Sequence, residues 1–227
     1  MIYSVHQPHY LPYLGYLAKV FQSDVFVFLE RVQYVRREYQ NRNKIKSPDG
    51  AVWLTIPVKG EYKTRIDQMT PDDSKPWREN HIETLRRFYA KADYLPELEG
   101  FQQVLKEPGA NLAELLMRTT AYFLDRFGIQ TVRKSQAELE PLPDEPNLRI
   151  VEIGKKLGAT VYLAGAGGRE YMNLAPFTSA GIEVHFQEFQ PLPYPQLHGE
   201  FIPYLGAIDL LLCTGKDGFS KYQVNLI

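Results

Sequence analysis

The segment His6-Gln7-Pro8-His9-Tyr10 brings two imidazoles, an amide and a phenol together directly after the apolar start Ile2-Tyr3-Ser4-Val5. Residues 2–5 predict a short buried strand, and Leu14, Leu17, Ala18 and Phe21 recur at helical spacing, so the polar residues between them form a strand-to-helix loop. In open α/β sheets ligands bind in such loops, outside the carboxyl edge of the strands. Pro8 and Pro12 restrict their own φ and bias the residues before them toward extended backbone, which holds His6, Gln7 and His9 in a set presentation. Neutral imidazole in that setting can accept a proton near neutral pH or hydrogen-bond a substrate. His6 and His9 are therefore the candidate catalytic residues, with Gln7 and Tyr10 as substrate-binding neighbours. His-x-x-His can also chelate, but this spacing is not helical i, i+4 and no cysteine or carboxylate adjoins it, so no metal is expected. A structural role for either imidazole, packed under the loop, is the competing account.

Three further clusters could meet the same ligand. Gly165-Ala166-Gly167-Gly168-Arg169 follows the apolar run Thr160-Val161-Tyr162-Leu163-Ala164. Gly165, Gly167 and Gly168 permit positive φ and close backbone approach, and Arg169 adds a fork of donors suited to phosphate or carboxylate. The loop is neither a Walker A motif nor Gly-x-Gly-x-x-Gly, and a tight turn accounts for its glycines equally well. If the strands at 2–5 and 160–164 are neighbours where the sheet order reverses, His6, Gln7, His9 and Arg169 converge on one crevice. Residues 31–46 carry six basic groups against one acid, Glu38. Within them Asn41, Arg42 and Lys44, interleaved with Tyr34 and Tyr39, suit a sugar diphosphate, a nucleotide or RNA, because guanidinium pairs with phosphate while tyrosine stacks on sugars and bases. A solvated hairpin face is the alternative, although the balancing acids of such a face are nearly absent. Near the C-terminal end, Tyr194-Pro195-Gln196-Leu197-His198-Gly199-Glu200 brings Gln196 and His198 to the same sheet edge. No Ser-His-Asp order, Gly-x-Ser-x-Gly or usefully paired carboxylates occur, which argues against a covalent serine hydrolase and leaves non-covalent group transfer.

The elements that must position these residues alternate between the two types. Strands are predicted at 2–5, 25–29, 130–133, 160–164 and 182–187, with helices between them. Ser47-Pro48-Asp49-Gly50 is a turn signal, and Trp53–Val58 reads as the returning strand of a hairpin. Ser74 with Pro76 starts a helix, Asn111 with Glu114 resembles a capping box, and Asn147 is placed to cap a third helix that ends at Gly158. The expected architecture is α/β: a Rossmann-like three-layer fold with a five-stranded, mostly parallel sheet. It carries an inserted basic β-hairpin at about 31–58 and a helical segment at about 76–127, all in one domain over 1–227.

Composition sets outer bounds. A chain of 227 residues with 44% hydrophobic content can bury a substantial core. A net charge of −1 gives no general pull toward nucleic acid or anionic membrane, so polyanion binding must be local. The single cysteine, Cys213, adjoins the apolar run Ile208–Leu212 and reads as a buried core thiol. No apolar stretch is long enough to span a bilayer and no signal peptide is evident, so a cytoplasmic protein is expected.

Several long motifs resemble one family. His6–Tyr16, Asp24–Tyr34 and Gln40–Ile45 are similar to successive signatures of the WbqC-like proteins. So are Tyr162–Gly165, Gly168–Tyr171, Tyr194–Gln196, Phe201, Pro203–Leu205 and Ile208–Leu211, so the resemblance spans nearly the whole chain. One departure is Ala164-Gly165, where Ser-Gly is expected, so no serine hydroxyl is available there. The resemblance implies a role in bacterial surface polysaccharide (O-antigen) synthesis, with glycine transfer proposed for some members. The leading expectation is a cytoplasmic transferase that moves an aminoacyl or related acyl group onto a nucleotide-linked sugar. In that scheme His6 or His9 deprotonates the acceptor, Arg169 and the glycine loop hold phosphates, and Arg42 or Lys44 closes over the donor. The sequence does not specify whether a cofactor is used, and the expected partner is a phosphorylated small molecule or nucleotide-sugar. An adenylating or nucleotidyl-transferring enzyme of the HIGH type is the first alternative, against which Tyr13 and Tyr16 occupy that motif's histidine positions. A nucleotide- or RNA-binding module without catalysis is the second.

Overall fold

The computed structural model describes residues 1–61, 63–107 and 109–225. The chain opens with β1 (Ile2–His6), α1 (Leu14–Phe21) and β2 (Val25–Phe28). A hairpin of β3 (Arg42–Ser47) and β4 (Gly50–Thr55) follows, then the short pair β5 (Val58–Lys59) and β6 (Thr70–Pro71). The helical segment comprises α2 (Trp77–Phe88), α3 (Glu97–Lys106) and α4 (Leu112–Arg126). The alternating rhythm then returns with β7 (Val132–Ser135), α5 (Pro146–Leu157), β8 (Val161–Ala164), α6 (Ala175–Ser179) and β9 (Glu183–Phe186). Two helices close the chain, α7 (Ala207–Thr214) and α8 (Ser220–Asn225).

The main sheet has the order β7-β2-β1-β8-β9, and every pairing in it is parallel. The chain winds outward from β1 through β2 to β7, then crosses back to β8 and β9 on the other side, so the order reverses between β1 and β8. Ile2 and Tyr3 lie opposite Val161 and Tyr162 across that boundary. The carboxyl ends of β1 and β8 are where the histidine loop and the glycine loop begin, as the sequence pattern predicts for a Rossmann-like three-layer fold.

Period-two alternation divides the core between the two faces. Tyr3 and Val5 of β1 with Val25 and Val27 of β2 pack beneath α5 and α6 against Val151, Ile153 and Phe177. The opposite register points Phe26 and Phe28 into a larger cluster with α1, α2, α3, α4 and α7. His6 shares that second face with Ser4, whose hydroxyl accepts from Ser23 just beyond α1 at 2.7 Å. The loop imidazoles thereby lie toward α1.

Local expectations differ from the structure at three places. The returning hairpin strand is Gly50–Thr55, because Gly50 takes a φ of +111° and the turn closes at once through Ser47, whose Oγ donates to the Gly50 carbonyl at 2.9 Å. The cap of α5 is Glu145, whose carboxylate accepts from the Leu148 amide at 2.6 Å, since Pro146 at the first helical position sets the start earlier than Asn147. The hairpin, for which a fully solvated face was the alternative, is packed on one side. Ile45, Leu54 and Ile56 join the large core, and Lys46 is almost fully enclosed, with Nζ donating to the carbonyls of Gly199 and Glu200.

Candidate functional site

His6 ends β1, and its Nδ1 lies 3.0 Å from the Gln7 carbonyl oxygen. A carbonyl only accepts, so the neutral ring carries its proton on Nδ1 and leaves the Nε2 lone pair free. The His9 ring packs edge-on to it at 4.6 Å between centroids, and Tyr16 contacts both rings at 4.9 and 5.2 Å. Beneath them Lys19 of α1 is 3% exposed and donates from Nζ to the Val5 carbonyl at 2.9 Å. Burial lowers the His6 pKa to about 3, helped by the Lys19 charge. Burial also drives His9 well below the ordinary histidine value, with His6 and Lys19 adding to the effect. Lys19 itself falls to about 7 through burial. Both imidazoles are consequently neutral at physiological pH, and each stays a hydrogen-bonding base until charge arrives beside it.

A clasp ties this loop to the basic segment. Gln7 Oε1 accepts from Gln40 Nε2 at 2.5 Å, Gln40 Oε1 accepts from the Val35 amide at 2.8 Å, and the Gln40 carbonyl accepts from the Tyr10 amide at 2.9 Å. Tyr39, next along, stacks on His9 at 6.2 Å and meets Trp53 of β4 at 5.7 Å. The Arg42 guanidinium lies 4.1 Å from the centre of the Trp53 ring and Lys44 Nζ 5.0 Å from it, because alternate residues of β3 share a face and Lys44 is opposite Trp53 in the hairpin. Tyr39 and Trp53 are each 39% exposed, so buried His9 and half-buried His6 lead outward to an aromatic and cationic surface. Gly206 lets three segments meet at its border: a Cβ there would sit 3.0 Å from the Leu11 carbonyl and 3.4 Å from that of Lys44. Leu11, Arg37 and Tyr204, all near this site, hold positive φ of 47°, 67° and 60°, a strain that bulky residues keep only where surrounding structure imposes it.

The remaining candidate residues are placed differently. Tyr10 is fully buried with its hydroxyl 2.8 Å from His81 Nδ1, which puts it in the core and not at an opening. Asn41 is buried too, its amide donating to the Ile56 carbonyl at 2.7 Å. Arg169 leaves the same sheet edge as His9, but its guanidinium stacks on Phe186 at 4.9 Å and pairs with Glu188 at 3.0 Å. It makes no contact with either histidine among the described residues. Gly165, Gly167 and Gly168 form one 3-10 turn without positive φ. Only Gly168 is enforced by packing, since a Cβ there would meet the Met172 sulfur at 2.8 Å. Gln196 closes its own loop by bonding both the amide and the carbonyl of Ile202, and His198 Nε2 lies 2.7 Å from the Phe88 carbonyl at the end of α2. His198 thereby holds the C-terminal loop to the helical layer, where the loop covers Lys46.

Lys19, Tyr16, Gln40 and Trp53 complete the site; Tyr16 and Gln40 lie within the quoted motifs but are not singled out there for a role, and Lys19 and Trp53 lie outside them. The available signal for Lys19 was a lysine inside the apolar run Leu17-Ala18-Lys19-Val20 of a helix that is buried nearly all round. Hollows of about 440 and 320 Å³ lie elsewhere, among Glu97, Tyr122 and Arg126 and among Arg78, Ile82 and Leu105. Among the described residues no three His, Cys, Asp or Glu are grouped to hold a metal ion, and no helix is long and apolar enough to cross a membrane.

Fold and site together define a Rossmann-like α/β protein whose paired histidines sit where the sheet order reverses, under a hairpin with exposed aromatic and basic groups. The model of the WbqC-like protein family matches residues 7–221, and the chain belongs to that family. It is also similar to the "Uncharacterized protein Rv1507c" of Mycobacterium tuberculosis (strain ATCC 25618 / H37Rv), at 29% identity over 219 residues that cover 94% of each chain. No solved structure matches it.

Proposed function

We propose that the chain is a cytoplasmic group-transfer enzyme of surface-polysaccharide synthesis, moving an aminoacyl or related acyl group onto an amine or hydroxyl of a nucleotide-linked sugar. What supports this reading most is His6, a neutral imidazole with Nδ1 held by a backbone carbonyl and Nε2 free, at the ligand-binding edge of the sheet. In the reaction the acceptor nitrogen or oxygen attacks the acyl carbonyl, Nε2 takes the acceptor's proton, and the proton then passes to the leaving group. Trp53 and Tyr39 offer flat faces to a sugar or base, while Arg42 and Lys44 attract the diphosphate.

The test is to incubate the protein with UDP- and dTDP-linked amino sugars and glycyl donors, and to look by mass spectrometry for the acylated sugar. His6→Gln should keep the fold and lower turnover by roughly 10²–10⁴ with KM little changed. Absence of product from every pairing, with nucleotide binding intact, would favour the second reading, a nucleotide-binding module. Exposed Tyr39 and Trp53 beside Arg42 and Lys44 are the features that support it.

A further inference from the structure

Neither ring nitrogen of His9 has a hydrogen-bond partner among the described residues, and Nδ1 is sealed from solvent as well. The residue is 8% exposed, so this is a buried polar group left unsatisfied, a situation folded proteins rarely tolerate without a purpose. Lys19 places a second donor beneath it. Of the three N–H groups an ammonium carries, one reaches the Val5 carbonyl and the structure records no other partner. The groups that face His9 are Lys19 and Tyr16 from α1, His6 from β1 and Tyr39 from the loop after β2. None is acidic, and no carboxylate lies within ion-pair distance of His6, His9 or Lys19 among the described residues. A buried cluster of basic groups with spare donors and no acid is matched by an anion that enters from outside.

We propose that His9 and Lys19 form an anion subsite for a phosphoryl group, and that the anion is bound together with a proton taken up by His9. The exposed ring of Tyr39, stacked on His9, covers the entrance and must swing aside to admit it. Division of labour follows: His9 turns cationic with the ligand, and His6, its Nδ1 committed to the Gln7 carbonyl, stays neutral as the proton acceptor. This deepens the transfer reading by naming the group that docks beside the acceptor, yet it is decided by binding alone. The phosphoryl charge favours the uptake, because an opposite charge within contact distance raises an imidazole's titration midpoint and so opposes the lowering that burial imposes on His9.

Sulfate is the probe, since it resembles a phosphoryl group and does not titrate. Imidazole ¹⁵N signals of the intact protein, assigned with His6→Gln and His9→Asn, are followed from neutral into mildly acidic pH, with sodium sulfate replacing sodium chloride at constant ionic strength. The His9 nitrogens should move saturably toward imidazolium positions while His6, His185 and His198 stay put, and His9→Asn should weaken sulfate binding at least tenfold. Unchanged His9 signals at high sulfate, or protonation of His6 in place of His9, would overturn the proposal. Either result leaves the transfer reading to be judged separately by acylated product.

Discussion

Replacing His6 by glutamine should alter stability in acid far more than at neutral pH. The native imidazole titrates at about 3 against an ordinary value of 6.5, chiefly because burial penalises the charged ring. Since the native value is depressed, the unfolded chain binds the proton first, and stability falls as pH drops through 6.5 and keeps falling until about 3. Between neutrality and about pH 4 that interval covers roughly 2.5 pH units, and at about 1.36 kcal/mol per unit the wild type loses roughly 3 kcal/mol from this ring alone. The substituted amide does not titrate, while the acid-sensitive carboxylates and the distant imidazole His81 are common to both proteins and cancel in the difference, and reading the same gap in a His9→Asn background removes the coupling to the neighbouring ring. Urea unfolding followed by tryptophan fluorescence at several pH values measures this directly. Whatever the gap between the two proteins near pH 7, it should shift in favour of His6→Gln by about 3 kcal/mol at about pH 4, or about 1 M in midpoint. Stability curves that run parallel over this range would mean that His6 is not held neutral by burial, and the account of its protonation state would fall with it.

Other outcomes follow from single observations. Gly165→Ala and Gly167→Ala should leave melting temperature unchanged or raise stability by about 0.4–1 kcal/mol, because neither glycine has positive φ and an added Cβ meets nothing within 4 Å. Gly168→Ala should cost roughly 1–3 kcal/mol through its contact with Met172, so a thermal-shift series that ranks the three alike would contradict the packing. Arg42→Ala with Lys44→Ala should weaken binding of a phosphorylated ligand and flatten its salt dependence with the fold intact, and equal affinities at low and high salt would place both on an inert surface. Tyr194→Phe should cost roughly 1–3 kcal/mol in chemical denaturation, since its hydroxyl donates to the fully buried Asp209 at 2.6 Å, and an unchanged stability would show that the remaining partners, Tyr89 and Gln196, satisfy the carboxylate without it.

The architecture was legible in the sequence because both periodicities are strong. The β-branched and aromatic run Val25–Phe28 reads as a central strand, helices such as α4 announce their start with Asn111 and their end with Gly128, and Ser47–Gly50 carries a strong turn signal. These are local properties, set by backbone preference and burial. The histidine loop was equally legible, because its residues are consecutive and its two prolines constrain it from within.

Which distant residues share the site was decided by tertiary structure. Arg169 and Gln196 carry suitable side chains on the expected sheet edge, but Phe186, Glu188 and Ile202 engage them, partners that sequence spacing cannot specify. Lys19, an ordinary lysine one turn into a helix, became part of the site because α1 is enclosed on all sides and its ammonium had only the Val5 carbonyl to reach. The neutrality of His6 and His9 is likewise tertiary: it arises from removal of water by Tyr16, Tyr39 and the helix beneath, and a low-dielectric surrounding is a property of packing that no short motif encodes.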